Sequence, residues 1–265
     1  MIYGFIGVGN MASAILRGMA QSGRFSQDAL CGYNRTPEKA IKLQRETGMA
    51  LCDCERAVAE TADFVVLSVK PQMMEGVLEK IAPVITSGKL VLTIAAGKET
   101  GWYEQRLGQV PVVRVMPNIN ARVRRSVSAI CGGRYARPEH LQFAREMFET
   151  VGTVYDVEER LFSAFSAIGG ASGAFVHLYI DALASAGVQA GIPRALSQEI
   201  ACRVVEGSAR LTAESDQHPI ALMDQVCSPG GTTIEGVHTL KRLGFESAVQ
   251  QAVRAVIEKD RQLGK

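Results

Sequence analysis

Up to residue 157 the chain alternates short aliphatic, β-branched runs with helical patterns, and after Glu158 those runs stop. That switch constrains the fold more than any other feature of the sequence. The runs fall at residues 2–6, 30–33, 49–52, 63–69, 89–94, 110–116, 127–131 and 153–157, with helical spacing over 11–21, 37–47 and 138–150. Strands interleaved with helices of about 10–15 residues predict a parallel, doubly wound sheet of Rossmann type. The remainder is rich in Ala and Leu and reads as helices at 175–190, 193–212, 220–226, 232–243 and 246–263. An α/β domain over 1–157, followed by an all-α domain over 158–265, is therefore expected.

The helix at 175–190 is apolar nearly all round, through Phe175, Val176, Leu178, Tyr179, Ile180, Leu183 and Val188. Such a helix has to be enclosed, and a small helical domain has little volume in which to enclose it. A homodimer whose second subunit covers part of this helix is the expectation. The stretch 164–180 lacks formal charges and approaches membrane-spanning length, but Gly169-Gly170-Ala171-Ser172-Gly173 interrupts it and Asp181 follows. A short loop leading into a buried helix is expected there, with no membrane span. Met1 runs directly into the first strand without the pattern of a signal peptide, so a cytoplasmic protein is expected.

Composition narrows the partners. The 47% hydrophobic content excludes a disordered chain, and a net charge of +2 lacks the field of a general nucleic-acid binder. A small molecule is the expected partner. Six scattered cysteines, none in a C-x-x-C pair, predict free buried thiols in a reducing compartment and no metal site.

Gly7-Val8-Gly9-Asn10-Met11-Ala12 joins the first strand to the first helix. Gly7 permits a tight turn, Gly9 lets a pyrophosphate approach bare backbone, and Ala12 allows close helix–strand packing. The phosphates would rest on the free N–H groups of the helix that Asn10 and Met11 open. The end of the second strand selects the dinucleotide. NAD sites normally carry a carboxylate there, whereas this chain has Asn34-Arg35-Thr36. Arg35 offers a planar fork to a 2′-phosphate, with neutral hydrogen bonds from Asn34 and Thr36. NADPH is the expected cofactor, NADH remaining usable; the alternative makes Arg35 a solvated surface charge. Val69-Lys70-Pro71 and Ala95-Ala96-Gly97 close two further strands at the edge where doubly wound sheets bind ligands.

In the helical half, Ser228-Pro229-Gly230-Gly231-Thr232-Thr233-Ile234-Glu235 is the most informative segment. Thr232 and Glu235 have capping-box spacing, so a helix begins here. The Pro-Gly-Gly turn leaves the N–H groups of Gly231, Thr232 and Thr233 open to an anion such as a small carboxylate. A plain helix cap would look the same.

At this point the chain resembles the pyrroline-5-carboxylate reductases. The matching stretches are residues 4–12, Asn34-Arg35-Thr36, Val69-Lys70-Pro71-Gln72, Ala95-Ala96-Gly97, Arg114-Val115-Met116-Pro117-Asn118 and residues 224–234, in family order over nearly the whole length. The resemblance implies hydride transfer from NAD(P)H to the C=N bond of a cyclic imine carrying a carboxylate, giving L-proline. It also implies an interleaved helical dimer, often assembled into a decamer. By the resemblance, the substrate carboxylate rests on backbone around Ser228, Gly231 and Thr232, and Thr233 bonds the substrate nitrogen. Asn118 lies near the nicotinamide, and Asp216 near the proline site. Such chemistry needs alignment and exclusion of water rather than a metal or a Ser-His-Asp set. His140, His177, His218 and His238 are dispersed, and surface or packing roles are expected for them.

Four departures from the family pattern bear on substrate choice. Ile119-Asn120 replaces Thr-Pro after Met-Pro-Asn, and Arg124-Arg125 stands where the family tends to a Gly-rich acidic turn. Gly169-Gly170-Ala171-Ser172-Gly173-Ala174 replaces Ser-Gly-Ser-Gly-Pro-Ala, and Asp53-Cys54-Glu55 lacks an Asn often found near the adenine ribose. Two other readings therefore stand beside the first: a reductase of another small cyclic imino acid, and a nucleotide-binding regulatory protein without turnover.

Overall fold

The computed structural model describes residues 1–264. Eight strands form one sheet: β1 (Tyr3–Ile6), β2 (Leu30–Tyr33), β3 (Ala50–Leu51), β4 (Phe64–Leu67), β5 (Leu90–Thr93), β6 (Val112–Met116), β7 (Ser126–Gly132) and β8 (Gly152–Asp156). Their order is β3-β2-β1-β4-β5-β6-β7-β8. The direction of winding reverses between β1 and β4, and a crevice opens outside the strand ends at such a switch point. Most pairs are parallel because helices carry the crossovers: α1 (Asn10–Ser22), α2 (Pro37–Thr47), α3 (Glu55–Thr61), α4 (Met74–Ile81), α5 (Thr100–Leu107) and α6 (Pro138–Glu149). The β6–β7 pair is antiparallel, a correction to the wholly parallel sheet expected. Only a 3₁₀ turn, Ile119–Val123, joins those strands, and a parallel return needs a crossover of a dozen residues or more.

Helices on both faces explain the continuous apolar strands. Along β1, Tyr3 and Phe5 enter one core with Ile15, Leu16 and Met19 of α1, while Ile6 enters the other with Val58 of α3. β4 repeats the alternation, Phe64 and Val66 on the first face and Val65 and Leu67 on the second. α4 buries Met74, Val77, Leu78 and Ile81, the i, i+3, i+4, i+7 stripe of an amphipathic helix.

The chain divides into two compact units, Met1–Gly170 with the chain end from Val256, and Ala171–Ala255. The first unit thus runs past the change of periodicity at 157. It takes in α7 (Phe162–Phe165), where Phe162 is fully buried against Met116 and Ala129. The loop expected at 169–173 does not form. Ser166–Ala171 are π-helical, and α8 (Ser172–Gln189) starts directly after them. Glycine permits a widened turn as readily as a break, and π turns are rare enough that composition does not signal them.

In the second unit α8 packs on α9 (Arg194–Glu214), with Ser197 Oγ donating to the Ala184 carbonyl at 2.8 Å. α10 (Pro219–Val226), α11 (Thr232–Arg242) and the start of α12 (Phe245–Gly264) complete it. Within one chain α8 is not enclosed as expected: Ala184 is its only buried residue, and Leu178 is 71% exposed. The helical run 159–189 is long and apolar enough to cross a membrane by length and composition.

All six cysteines are free, but only Cys31 is fully buried, and Cys54 and Cys202 are exposed, which corrects the expectation of buried thiols. Burial pushes the Cys31 thiol up to about 12, the neighbouring Cys52 adding to the effect. Burial does the same at Cys131, also to about 12, with the Glu159 charge behind it. Both should resist iodoacetamide at about pH 8 while Cys54 reacts, because the thiolate is the nucleophile. The raised values also set a sign for stability. The contribution is intact below the unfolded thiol value of about 9 and is lost as pH climbs from there toward 12. Urea midpoints at about pH 8 and pH 10.5 should show that fall.

Candidate functional site

The turn after β1 is held from several sides. The Gly7 N–H donates to the Tyr33 carbonyl at 2.9 Å, and Gly7 takes φ +91°. The Val8 N–H donates to Asn34 Oδ1 at 2.9 Å, while Asn34 Nδ2 donates to the Thr36 carbonyl at 2.9 Å. Asn34 thus ties the first turn to the second, a job that uses much of the amide expected to face the cofactor. Ser68 Oγ donates to the Ile6 carbonyl at 3.0 Å and also contacts the Gly7 carbonyl. Gly9 caps α1 with no side-chain acceptor, and nothing lies within 4 Å of where its Cβ would be. The first N–H groups of α1 therefore face open space with their positive dipole end, the arrangement that receives a phosphate.

A cleft of about 270 Å³ runs beside this turn. Of the residues expected to hold the cofactor, Gly7, Gly9, Asn34, Arg35, Thr36, Val69 and Lys70 line it. Asn10 lines an adjoining cleft, reached past Gly9. The Met11 side chain packs against the core, which leaves its backbone to serve. Pro71 opens a 3₁₀ turn, Ala95 is buried and Ala96 exposed at the end of β5. Among the described residues Arg35 forms no ion pair and is exposed. Six lining residues were not among those expected to hold the cofactor: Ile6 and Tyr33 at the strand ends, and Lys39, Glu55, Ser68 and Met73. Lys39 was legible in principle, lying three residues after Thr36 on a helix that Pro37 opens. Glu55 is engaged by Lys80 Nζ at 3.0 Å.

Asn118, two residues past β6 and capping the 3₁₀ turn that follows, is 8% exposed and fully tied in. Its N–H donates to Ser126 Oγ at 3.1 Å and its Oδ1 accepts from the Asn120 N–H at 3.1 Å. Its Nδ2 donates to the Gly169 carbonyl at 2.6 Å, in the π-helical segment. Four residues earlier, within β6, Arg114 is buried and donates to Glu159 Oε1 at 3.1 Å, with Phe162 stacked 4.6 Å from its guanidinium. Thr100 supplies Glu159 with two more donors, its N–H at 2.8 Å and its Oγ1 at 2.7 Å.

In the second unit, Ser228–Thr233 form the turn before α11. Gly230 takes φ +66°, and Gly231, not Thr232, is the N-cap, with no side-chain cap bond. The capping box expected between Thr232 and Glu235 is therefore absent, because Thr232 is already helical and Glu235 merely sits in the first turn. The Gly231 N–H is taken by the Ser228 carbonyl at 3.0 Å, so the amides of Thr232 and Thr233 are the ones without a side-chain partner. Thr232, Thr233 and Ser228 are exposed, as is Asp216 in the connection from α9 to α10. Of the four histidines, two act as local acceptors: His218 Nδ1 for the Ile220 N–H, and His140 Nδ1 for the Arg137 N–H.

Sheet topology, glycine turn and switch-point cleft are those of a dinucleotide-binding protein. Residues 2–97 match the family model described as NADP oxidoreductase coenzyme F420-dependent, and residues 159–263 that described as pyrroline-5-carboxylate reductase dimerisation. The chain is 38% identical to the pyrroline-5-carboxylate reductase of Methanosarcina acetivorans, over 99% of its own length and 97% of the relative's. With that of Escherichia coli it shares 35%, over 99% and 98%. Among solved structures, the Plasmodium falciparum pyrroline carboxylate reductase with NADP bound superposes with a TM-score of 0.90 at 28% identity, covering 100% and 98% of the two chains. The enzyme of Streptococcus pyogenes gives 0.88 at 33%, covering 99% and 98%. The chain belongs to the pyrroline-5-carboxylate reductase family.

Proposed function

We infer that this chain reduces 1-pyrroline-5-carboxylate to L-proline, the last step of proline biosynthesis, with NADPH preferred over NADH. Full-length kinship with reductases of that name carries the reading, and the uncapped helix start at Gly9, with open space beside it, supports a pyrophosphate on this turn. The cofactor supplies the hydride. The protein's own work is positional. Gly7, Gly9, Asn10 and Met11 present backbone to the pyrophosphate, and Val69, Lys70, Pro71, Ala95 and Ala96 flank it along the sheet edge. The amides of Thr232 and Thr233, with Ser228 and Gly231 shaping the turn, hold the ring carboxylate. Asp216 sits toward the same site. The Thr233 hydroxyl bonds the ring nitrogen of the imine, which arrives already protonated from solvent and keeps that proton as the amine N–H of the product. Asn118 stands beside the nicotinamide and fixes the π-helical segment.

Oxidation of NADPH measured with five- and six-membered cyclic imino acids tests the reading. Faster turnover of the five-membered ring is expected. Preference for the larger ring would mark a reductase of another imino acid, and inactivity with both would mark a nucleotide-binding protein. Thr233→Val should lower kcat/KM for the imine about 10–100-fold, because a hydrogen bond made to the charged ring nitrogen is lost. A fall under about twofold would remove Thr233 from this role.

The assembly follows from α8 and its neighbours. Leu178, Val176, Leu196, Val204 and Leu243 are exposed in the single chain, more apolar surface than a monomer normally leaves in water. A second copy, rather than a bilayer, covers it, in keeping with the dimerisation family matched by 159–263. Sedimentation equilibrium should return a dimer or a multiple of it up to the decamer, in a cytoplasmic enzyme. A stable, active monomer would overturn this.

A further inference from the structure

We propose that Lys39 is a second cation reading the 2′-phosphate of the dinucleotide, alongside Arg35, and so sets the cofactor specificity of this chain. The proposal rests on the NADPH reading above and adds to it a residue outside the Asn34-Arg35-Thr36 segment. Two clefts meet at Gly9. One carries Asn34, Arg35 and Thr36 on its wall; the other lies between α1 and α2 and is lined by Ser13, Arg17, Lys42 and Arg122. Lys39 and Gly9 are common to both, so the lysine stands where the adenosine-side phosphate would pass the turn.

Its charge is also unspent. Arg17 is neutralised by Glu46 at 2.6 Å, whereas Arg35, Lys39, Lys42 and Arg122 form no ion pair among the described residues. Lys39 is the third residue of α2, in the first turn, where the helix dipole disfavours a cation. Thr36, the N-cap, makes no side-chain bond that would satisfy that end of the helix. An unpaired lysine at a helix N-terminus, beside an unpaired arginine, in a cleft that already admits a dinucleotide, matches a dianion. A ribose hydroxyl would leave both charges without a partner, while a 2′-phosphate engages both through charge-assisted hydrogen bonds.

The test is the ratio of kcat/KM for NADPH to that for NADH, which does not depend on the fraction of enzyme that is folded. Lys39→Met should lower the ratio about tenfold, the loss of one charge-assisted contact. Arg35→Met should lower it at least as far, and Lys39→Arg should keep most of it. Lys42→Met should leave the ratio within about twofold, since Lys42 lines only the α1–α2 cleft. A Lys39→Met ratio equal to wild type, with Arg35→Met impaired, would overturn the assignment of Lys39 and leave the NADPH reading standing. A wild-type ratio near one, unmoved by either substitution, would overturn both.

Discussion

Gly7→Ala should abolish most cofactor use and destabilise the first unit at once. At φ +91° an alanine is forced into the left-handed region, which costs about 1–3 kcal/mol by itself. The space is also taken, because a Cβ there would lie 2.8 Å from Val69 Cγ1 and 3.0 Å from the Ser68 carbonyl oxygen. Val69 can rotate, but the Ser68 carbonyl belongs to the chain leaving β4 and cannot. The turn must move instead, and with it the Val8–Asn34 bond and the amides at Gly9 assigned above to the pyrophosphate. A displacement of about 1 Å at such a site is enough for a loss on the order of 100-fold. The expected result is a KM for NADPH raised about 100-fold or more, with a lower urea midpoint. Gly9→Ala supplies the contrast. Nothing lies within 4 Å of its Cβ, so stability should hold while the cofactor's approach is narrowed. Equal, small effects of the two substitutions on cofactor KM would show that this turn does not carry the phosphates.

Where burial dictated the sequence, the structure was legible in advance. β2 and α2 lie at the expected residues because each is bounded by a strong signal, Pro37 at the start of α2 and Gly48 at its end. α3, α4 and α5 were not expected. They have seven or eight residues each, too short for a period of 3.6 to stand out, although the apolar stripe of α4 is regular once the helix is known. The antiparallel β7 and the π-helical segment depend on how long a connection is and which carbonyl accepts a bond, neither of which residue types report. α8 reads as buried from its composition, and that reading belongs to an assembly larger than one chain.

The site divides in the same way. Backbone-defined features, the Gly7–Gly9 turn and the Ser228–Thr233 turn, are visible because glycine and proline mark them. Features made by side chains from distant elements are not. Glu55, Ser68 and Lys39 enter the cleft beside the Gly7–Gly9 turn from three separate parts of the chain, and Asn118 reaches Gly169 across 51 positions. The Thr232–Glu235 spacing misled because an identical pattern serves a capping box or a first helical turn, and the glycine before it took the cap.

Glu159→Ala should be the most destabilising single change at a charged residue. Glu159 gathers three donors, Arg114 Nη1, the Thr100 N–H and Thr100 Oγ1, at 2.7–3.1 Å. The Arg114 side chain is 5% exposed, and its Nε already lacks a hydrogen-bond partner, so the carboxylate is the charged partner that offsets its burial. Removing one member of a buried pair leaves the other charged and unsolvated, at a cost of about 3–5 kcal/mol. In a chain of this length that is a fall in Tm of roughly 6–15 °C. Arg203–Glu206, exposed on both sides, gives the scale for comparison, since Glu206→Ala should cost under about 0.5 kcal/mol. The double variant Arg114→Met/Glu159→Leu separates the causes. If stranded charge is the damage, it recovers much of the loss, because apolar replacement of a buried pair is often close to neutral. No recovery would mean instead that Thr100 and the Phe162 contact carry the junction. Two residues past the end of the same strand lies Asn118, whose bond to Gly169 holds the π-helical segment. Loosening Arg114 should therefore reach the imine step as well, lowering kcat for the five-membered substrate more than it raises the KM for NADPH.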